Sequence, residues 1–341
     1  MDRKSFLQAF VPASFGLLVS RGLGASTPPV SGIAAAPAML REGDTIGITC
    51  PAGAVESLEI RNCMTVLGSW GFNVKCGATV GKKWQRFAGT DAERLADFQS
   101  LLDDSSVHAI MFGRGGYGTM RIIDQLNWNK FAANPKWLIG FSDITTVHLH
   151  VHAQLGTPTI HAGMSTGFGS KDQAPAAESL RKLLRGEPMA YVVNGHEMNR
   201  EGNCAGKIVG GNLSIIQACS GSASDVSTDG KILFIEDVNE YKYTIDRMLV
   251  HLKRAGKLER LAGLIVGGFT ATRTREEESF RQSISELVME KVSEYSYPVC
   301  FDFPAGHVKN NLALKLGVPC QLSVSSTDVI LNEVVETITA P

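Results

Sequence analysis

Hydrophobic positions in the first half of the chain fall into short runs of strand length, separated by amphipathic stretches with helical spacing. Residues 45–49, 72–76, 107–112 and 137–141 read as strands, and residues 56–70, 119–126 and 143–155 as helical stretches. Thr90-Asp-Ala-Glu93 is a capping box, and the helix it opens carries Leu95, Phe98, Leu101 and Leu102 on one face. Strands alternating with helices predict a parallel, Rossmann-like sheet with helices over it.

The pattern changes past the middle. Residues 168–206 turn small and polar and read as a connector with one helical piece at 176–184. A second region opens near Lys207, with strands at 231–235, 261–269 and 297–303 and helices at 243–252 and 276–295. Residues 321–339 alternate like a closing hairpin. The organisation expected is a Rossmann-like domain at 40–167, a connector at 168–206 and a smaller α/β domain at 207–337.

Composition narrows the partners. With 341 residues, 44% of them hydrophobic, the chain can bury one large core or two medium ones. A net charge of -1 argues against nucleic acid or an anionic membrane, both of which call for a basic excess. The seven cysteines include no C-x-x-C pair and read as small core residues, not as disulfides or a zinc site. At the amino terminus, Arg3 and Lys4 precede an apolar stretch, residues 6–19, too short to span a bilayer, and small residues follow near Ala25 and Ala36. Residues 1–38 therefore read as an export signal and linker, faintly like a twin-arginine signal with lysine as its second cation. They point to a bacterial periplasm or envelope; without such a signal the location would be the cytoplasm.

Candidate chemistry gathers at strand ends. The run 137–141 delivers Ser142 to a sharp strand-to-helix turn, a place suited to a nucleophile and equally to a helix cap. Gly113-Arg-Gly-Gly-Tyr-Gly118 satisfies G-x-G-x-x-G between a strand and a helical run. Read as a dinucleotide loop, it would need Asp143 as its acidic partner. Read otherwise, its glycines let the amides of Gly115 or Gly116 face the space before Ser142, with Arg114 meeting a substrate carboxylate or forming an ordinary salt bridge. Gly163-Met-Ser-Thr-Gly167 fits G-x-S-x-G, but the residues after it cannot start a helix directly. His148 and His152 share a helix face at metal-ligand spacing without the glutamate of an HExxH motif, and His150 and His161 lie nearby. Two further strands end at Glu236-Asp237 and near His307, and a helix carries Asp246 and Arg247. Serine, acid and histidine in this order are the minimum set for an activated hydroxyl, so the residues point to a hydrolase.

The glycine loop, Asn134-Pro-Lys-Trp-Leu-Ile-Gly-Phe-Ser-Asp-Ile-Thr145, Gly210-Gly-Asn-Leu-Ser214, Leu233-Phe-Ile-Glu-Asp237 with Tyr243-Thr-Ile-Asp-Arg247, and Phe303-Pro-Ala-Gly-His307 occur in order. In this the chain resembles the serine LD-carboxypeptidases, a family that includes the microcin C immunity peptidases, over about residues 40–335. The resemblance implies a Rossmann-like N-terminal domain and a smaller C-terminal domain with the site between them. It implies a nucleophile at Ser142, an acid at Glu236, a base at His307, and an oxyanion hole from the Asp143 amide and the Gly115–Gly116 turn. It also implies release of the terminal D-alanine of a murein tetrapeptide, a homodimer, and no metal or other cofactor. An immunity-type peptidase acting on a peptidyl-nucleotide and a non-catalytic muropeptide-binding protein are the alternatives. Arg114 and Arg247 are candidates for gripping substrate carboxylates, by charge and position alone. Lys315 stands where the family pattern leads one to expect proline.

Overall fold

The strand that leads into Ser142 is an inner strand of a parallel sheet, paired along both of its edges. A computed structural model of the chain describes residues 36–168, 174–272 and 281–335. Strands β1 (Thr45–Thr49), β2 (Asn73–Cys76), β3 (Val107–Phe112), β4 (Trp137–Gly140) and β5 (Thr159–His161) pair in parallel, in the order β5-β4-β3-β1-β2. Every residue of β4 is buried, which is the expected reading of an uninterrupted apolar run in a parallel sheet. Helices α1 (Arg61–Ser69), α2 (Asp91–Asp103), α3 (Asn129–Ala133) and α4 (Thr145–Gln154) connect these strands. The predicted capping box opens α2: Thr90 accepts from the Glu93 amide, and Glu93 accepts from the Thr90 amide at 2.8 Å.

Helix α5 (Ala174–Leu184) leads to the second sheet, built from β6 (Ala190–Asn194), β7 (Gly202–Asn212), β8 (Ile232–Val238), β9 (Gly263–Thr270) and β10 (Val299–Cys300). Helices α6 (Leu213–Cys219), α7 (Lys242–Arg254) and α8 (Ile284–Lys291) lie between its strands in sequence. Three strands close the chain: β11 (Leu314–Leu316), β12 (Pro319–Val324) and β13 (Asp328–Glu333). The second sheet has the order β10-β9-β8-β7-β12-β13-β6, parallel from β10 to β7 and antiparallel beyond. β11 does not join it. It crosses back to pair antiparallel with β5, Leu314 opposite His161, and so supplies the sixth strand of the first sheet. The fold is α/β, with a parallel Rossmann-like sheet followed by a mixed one, and one hydrophobic cluster holds Ile46 and Trp137 together with Phe234, Phe303 and Leu331.

Several expectations need correction. Residues 119–126 form two 3-10 turns, Thr119–Arg121 and Ile123–Gln125, in place of a helix, starting from Gly118 at φ 145°. Residues 56–60 precede α1 as turns, because the Glu59 carboxylate takes the Glu56 amide at 2.6 Å. The connector contains the edge strand β6. Helix α8 begins only after Ser283, whose hydroxyl and Glu286 form a second capping box, and the predicted start at Glu276 lies outside the described residues. The strand expected at 297–303 is paired only at Val299–Cys300. The hairpin is present as β12 and β13, its predicted last residues lying outside the described ones, as do residues 1–35 of the export signal and linker expected at 1–38.

The seven cysteines are free; five are buried, Cys204 is half-buried and Cys76 is exposed. Lys315, on β11, is buried and ion-paired to Glu333 of β13 at 2.9 Å, joining the last strand of one sheet to the last of the other. Among the described residues, no helix is long and apolar enough to cross a membrane.

Candidate active site

Strand β4 ends at Gly140, and the chain reverses within two residues into the short turn Ser142–Ile144 that opens onto α4. Ser142 takes φ 63°, a left-handed conformation that costs a non-glycine residue on the order of 1 kcal/mol and persists only where the surroundings enforce it. That is the geometry of a nucleophile elbow: the side chain stands clear of sheet and helix, and the next amide points the same way. Ser142 is not the cap of either helix: the N-cap positions of the 3-10 turn and of α4 are Phe141 and Ile144, and the Ser142 hydroxyl is left for another partner.

The other two strand ends converge on it. His307 Nε2 lies 3.2 Å from Ser142 Oγ, and His307 Nδ1 lies 2.6 Å from Glu236 Oε2. Glu236 is fully buried at the end of β8 and also accepts the His307 amide at 3.1 Å. Gly306 makes this possible. It sits at φ 102°, and a β-carbon there would fall 2.6 Å from the Glu236 β-carbon. The loop is fixed further by Asn311, which accepts the Gly306 amide at 2.8 Å, and by Thr270, whose hydroxyl donates to the His307 carbonyl at 2.8 Å. Burial pushes the Glu236 carboxyl above the usual range, opposed by the bonds and charge of His307. With Nδ1 turned to the carboxylate, Nε2 is left as the nitrogen facing the hydroxyl.

Of the paired acids at this strand end, only Glu236 faces the histidine. Asp237 is taken up by Asn212 Nδ2 at 2.9 Å and by the Ser214 amide at 2.9 Å and hydroxyl at 2.7 Å, fastening β8 to the start of α6.

The glycine loop faces Ser142. A β-carbon on Gly115 would lie 2.9 Å from Ser142 Oγ and 3.4 Å from the Asp143 nitrogen, so no side chain fits there unless the serine shifts. Asp143 is buried, and its carboxylate accepts the Thr119 amide at 2.9 Å, which leaves it no role as a ribose partner. Burial raises the Asp143 carboxyl. Arg94, missed in the sequence because nothing marks it out from other helix cations, is fully buried and donates to the Gly118 carbonyl at 2.9 Å and to the Pro51 carbonyl. Asp143 and Arg94 together hold the far end of the loop.

A cavity of about 890 Å³ lies before the serine, walled by Ser142, His307, Gly115, Arg114, Trp70 and Asn311 among others. Arg114 lines it, as proposed for a carboxylate partner. Arg247 does not; it stands over the Tyr243 ring at 5.6 Å on α7, so charge alone misplaced it. Asn239 and Lys309 line the cavity and were not singled out from the sequence, where neither belongs to a recognisable motif.

The remaining motifs fall elsewhere. Ser165 of the G-x-S-x-G match is buried and donates to the Gly113 carbonyl at 3.1 Å. His148 Nε2 turns to the Gly140 carbonyl at 2.8 Å, His150 Nδ1 to Ser224 at 3.0 Å and His152 Nε2 to Thr159 at 3.1 Å, so they do not converge on a common point. His161 is buried edge-on to Phe141 and Phe234. Among the described residues, no group of three or more His, Cys, Asp or Glu side chains is arranged to hold a metal ion.

A hydroxyl, an imidazole and a buried carboxylate in hydrogen-bonded series, with backbone amides facing the hydroxyl, form the working set of a serine hydrolase. Comparison with known proteins agrees with that class and narrows it. Residues 46–162 match the LD-carboxypeptidase N-terminal domain and residues 205–322 the LD-carboxypeptidase C-terminal domain. The chain is 31% identical over 301 residues to a Bacillus subtilis protein named "Probable murein peptide carboxypeptidase", covering 87% of this chain and 94% of that one. It superposes with TM-score 0.78 and 25% identity on a muramoyltetrapeptide carboxypeptidase from Oxalobacter formigenes, covering 85% and 98% of the two chains. It shares its fold with MccF in complex with glutamyl sulfamoyl guanosine, at TM-score 0.79 and 23% identity over 87% and 98%. The chain belongs to the LD-carboxypeptidase family and is a serine-type peptidase.

Proposed function

We propose that this enzyme hydrolyses the bond between the L-centre of the third residue and the terminal D-alanine of murein tetrapeptides. Ser142 is the nucleophile, His307 the general base and Glu236 the acid that orients it. Ser142 Oγ attacks the scissile carbonyl carbon as its proton passes to His307 Nε2. Negative charge moves to the carbonyl oxygen, which receives the Asp143 amide and an amide of the Gly115–Gly116 turn. The imidazolium is stabilised by Glu236 and gives its proton to the departing amine of D-alanine. Water, deprotonated by the same nitrogen, then releases the shortened peptide. Preorganised amides and the triad supply the charge stabilisation, and no step calls for a metal.

The observation that carries this reading is the series from Ser142 through His307 to Glu236, at 3.2 and 2.6 Å. The test is D-alanine release from purified murein tetrapeptide by the chain lacking residues 1–38 and by its Ser142→Ala variant. A loss of at least about a thousandfold in the variant is expected, since removing a triad nucleophile has that effect. If the parent releases no D-alanine, the tetrapeptide assignment fails, and the same pair is tried on a peptidyl-nucleotide.

The basic start, short apolar stretch and small residues of the amino terminus support work outside the cytoplasm, in the periplasm or envelope. Fractionation with sequencing of the mature amino terminus tests this, and light scattering tests the homodimer expected from the family.

A further inference from the structure

The glycine loop is a wall with two sides. Arg114, Gly115 and Gly116 line the cavity of Ser142 and also a second cleft of about 610 Å³ on the loop's other side. Lys82, Lys83 and Arg86 project from the far bank of that cleft, and Arg114 stands on the shared wall, against only two carboxylates, Glu56 and Glu59. Glu59 is already engaged in its own turn with the Glu56 amide. Lys82 is paired with Glu93 at 2.8 Å, but no ion pair to Lys83, Arg86 or Arg114 is found among the described residues.

The far bank is built to hold its shape. Trp84 and Phe87 exchange backbone hydrogen bonds at 2.8 and 2.9 Å, closing a two-residue turn that contains Arg86. Gln85 adopts φ 54° in that turn, where glycine would be the unstrained choice, and such an outlier points towards a function. The Arg86 guanidinium lies 5.8 Å from the Tyr117 ring. The Ala54 amide donates to the Arg86 carbonyl, and the neighbouring Gly53 amide donates to the Gly115 carbonyl at 3.0 Å. The hairpin is thereby fastened through residues 53 and 54 to the loop that faces the nucleophile.

We propose that this second cleft is a subsite for a carboxylate of the substrate remote from the bond cleaved, held chiefly by Lys83 and Arg86. The inference rests on the murein-peptide reading above. A muropeptide stem carries, besides its terminal carboxylate, a free α-carboxylate on its γ-linked D-glutamate, two residues before the terminal D-alanine. A preorganised guanidinium with an ammonium beside it matches such a group, and binding far from the reacting centre helps to align the scissile bond.

The test is calorimetric titration of the Ser142→Ala protein with two murein tetrapeptides, one with the free glutamate carboxylate and one with that group amidated. The acid form is expected to bind about tenfold more tightly, as a charge-assisted pair at a partly exposed site would give. Adding Lys83→Ala and Arg86→Ala to the same protein should reduce that preference below about twofold, with the thermal midpoint unchanged because both side chains are exposed. Equal binding of the two forms, an undiminished preference in the combined variant, or binding of neither form overturns the subsite. Turnover by the parent is scored separately: a parent that fails to release D-alanine while Ser142→Ala still prefers the acid form defeats the peptidase assignment and leaves the subsite standing.

Discussion

Gly115→Ala asks whether the space between the glycine loop and Ser142 is where the substrate's oxygen sits. The added methyl would lie 2.9 Å from both the β-carbon and the hydroxyl of Ser142, and 3.4 Å from the Asp143 nitrogen. Ordinary contacts fall at about 3.5–4.0 Å, so the serine must give way or the methyl must occupy the approach to the amide. Gly115 does not have a left-handed φ, so alanine adds no backbone strain, and the cost to folding is that of modest overpacking, about 1–3 kcal/mol. With an unfolding entropy of about 2.1 cal/mol/K per residue, 1 kcal/mol is worth roughly 1.5 °C in a chain of this size, so the melting temperature should drop by about 1–5 °C. Turnover should drop much further, because blocking one oxyanion donor costs on the order of 10²–10³ in kcat and displacement of the nucleophile adds to it. Gly68→Ala is the control: it lies on α1 with nothing within 4 Å of the new carbon, so kcat should not move and stability should rise slightly. D-alanine release and thermal melting followed by circular dichroism read out both. If Gly115→Ala turns over within about threefold of the parent, the space before the Asp143 amide is not the oxyanion site.

Glu236→Gln keeps an oxygen available to both His307 donors but removes the charge that stabilises the imidazolium, so kcat should fall at least about a hundredfold with KM little changed; steady-state kinetics matching the parent's would refute its role. His148 is fully buried and burial lowers its ring to about 4, while His161 is also pushed well below its ordinary value. Both are neutral in the fold, so their stabilising effect is complete above about pH 6.5 and is lost as pH falls below it; His148 alone costs roughly 2 kcal/mol by pH 5. Urea midpoints unchanged between pH 7 and pH 5 would contradict this. Lys315→Met leaves Glu333 without its buried partner and should destabilise by roughly 3 kcal/mol while sparing kcat, which urea denaturation alongside turnover will check.

What could be read in the sequence follows from how local each cause is. The run 137–141 and the capping box at Thr90 carry their own signals, and strand, helix and cap appear where those signals lie. Ser142's left-handed φ does not, because glycine is the residue that announces such a turn and none stands there. The G-x-G-x-x-G match misled about the helix after it: Gly118 directs the chain into 3-10 turns held by Asp143 and Arg94, which lie 25 and 24 residues away in either direction. Ser283 and Glu286 did carry a helix-start signal, the same capping-box pattern as at Thr90, and it was overlooked. Arg247 was chosen by charge in a motif, and only the packing of α7 shows it beside Tyr243. That Glu236 and His307 meet could be argued from chemistry and from resemblance, but not from spacing, since Gly306 brings them together across 71 residues.

The crossing of β11 into the first sheet sets an order on synthesis. β5 leaves the ribosome early, yet the partner that covers its free edge arrives about 150 residues later, which at 5–20 residues per second is roughly 8–30 s. Through that interval the nascent first sheet has an open edge beside the newly made serine, and pairing with another chain competes with waiting. His307 emerges just before the covering strand. The β5 edge is therefore covered at nearly the same moment as the proposed triad is completed, and a ribosome stalled anywhere before residue 307 holds Ser142 without its proposed base.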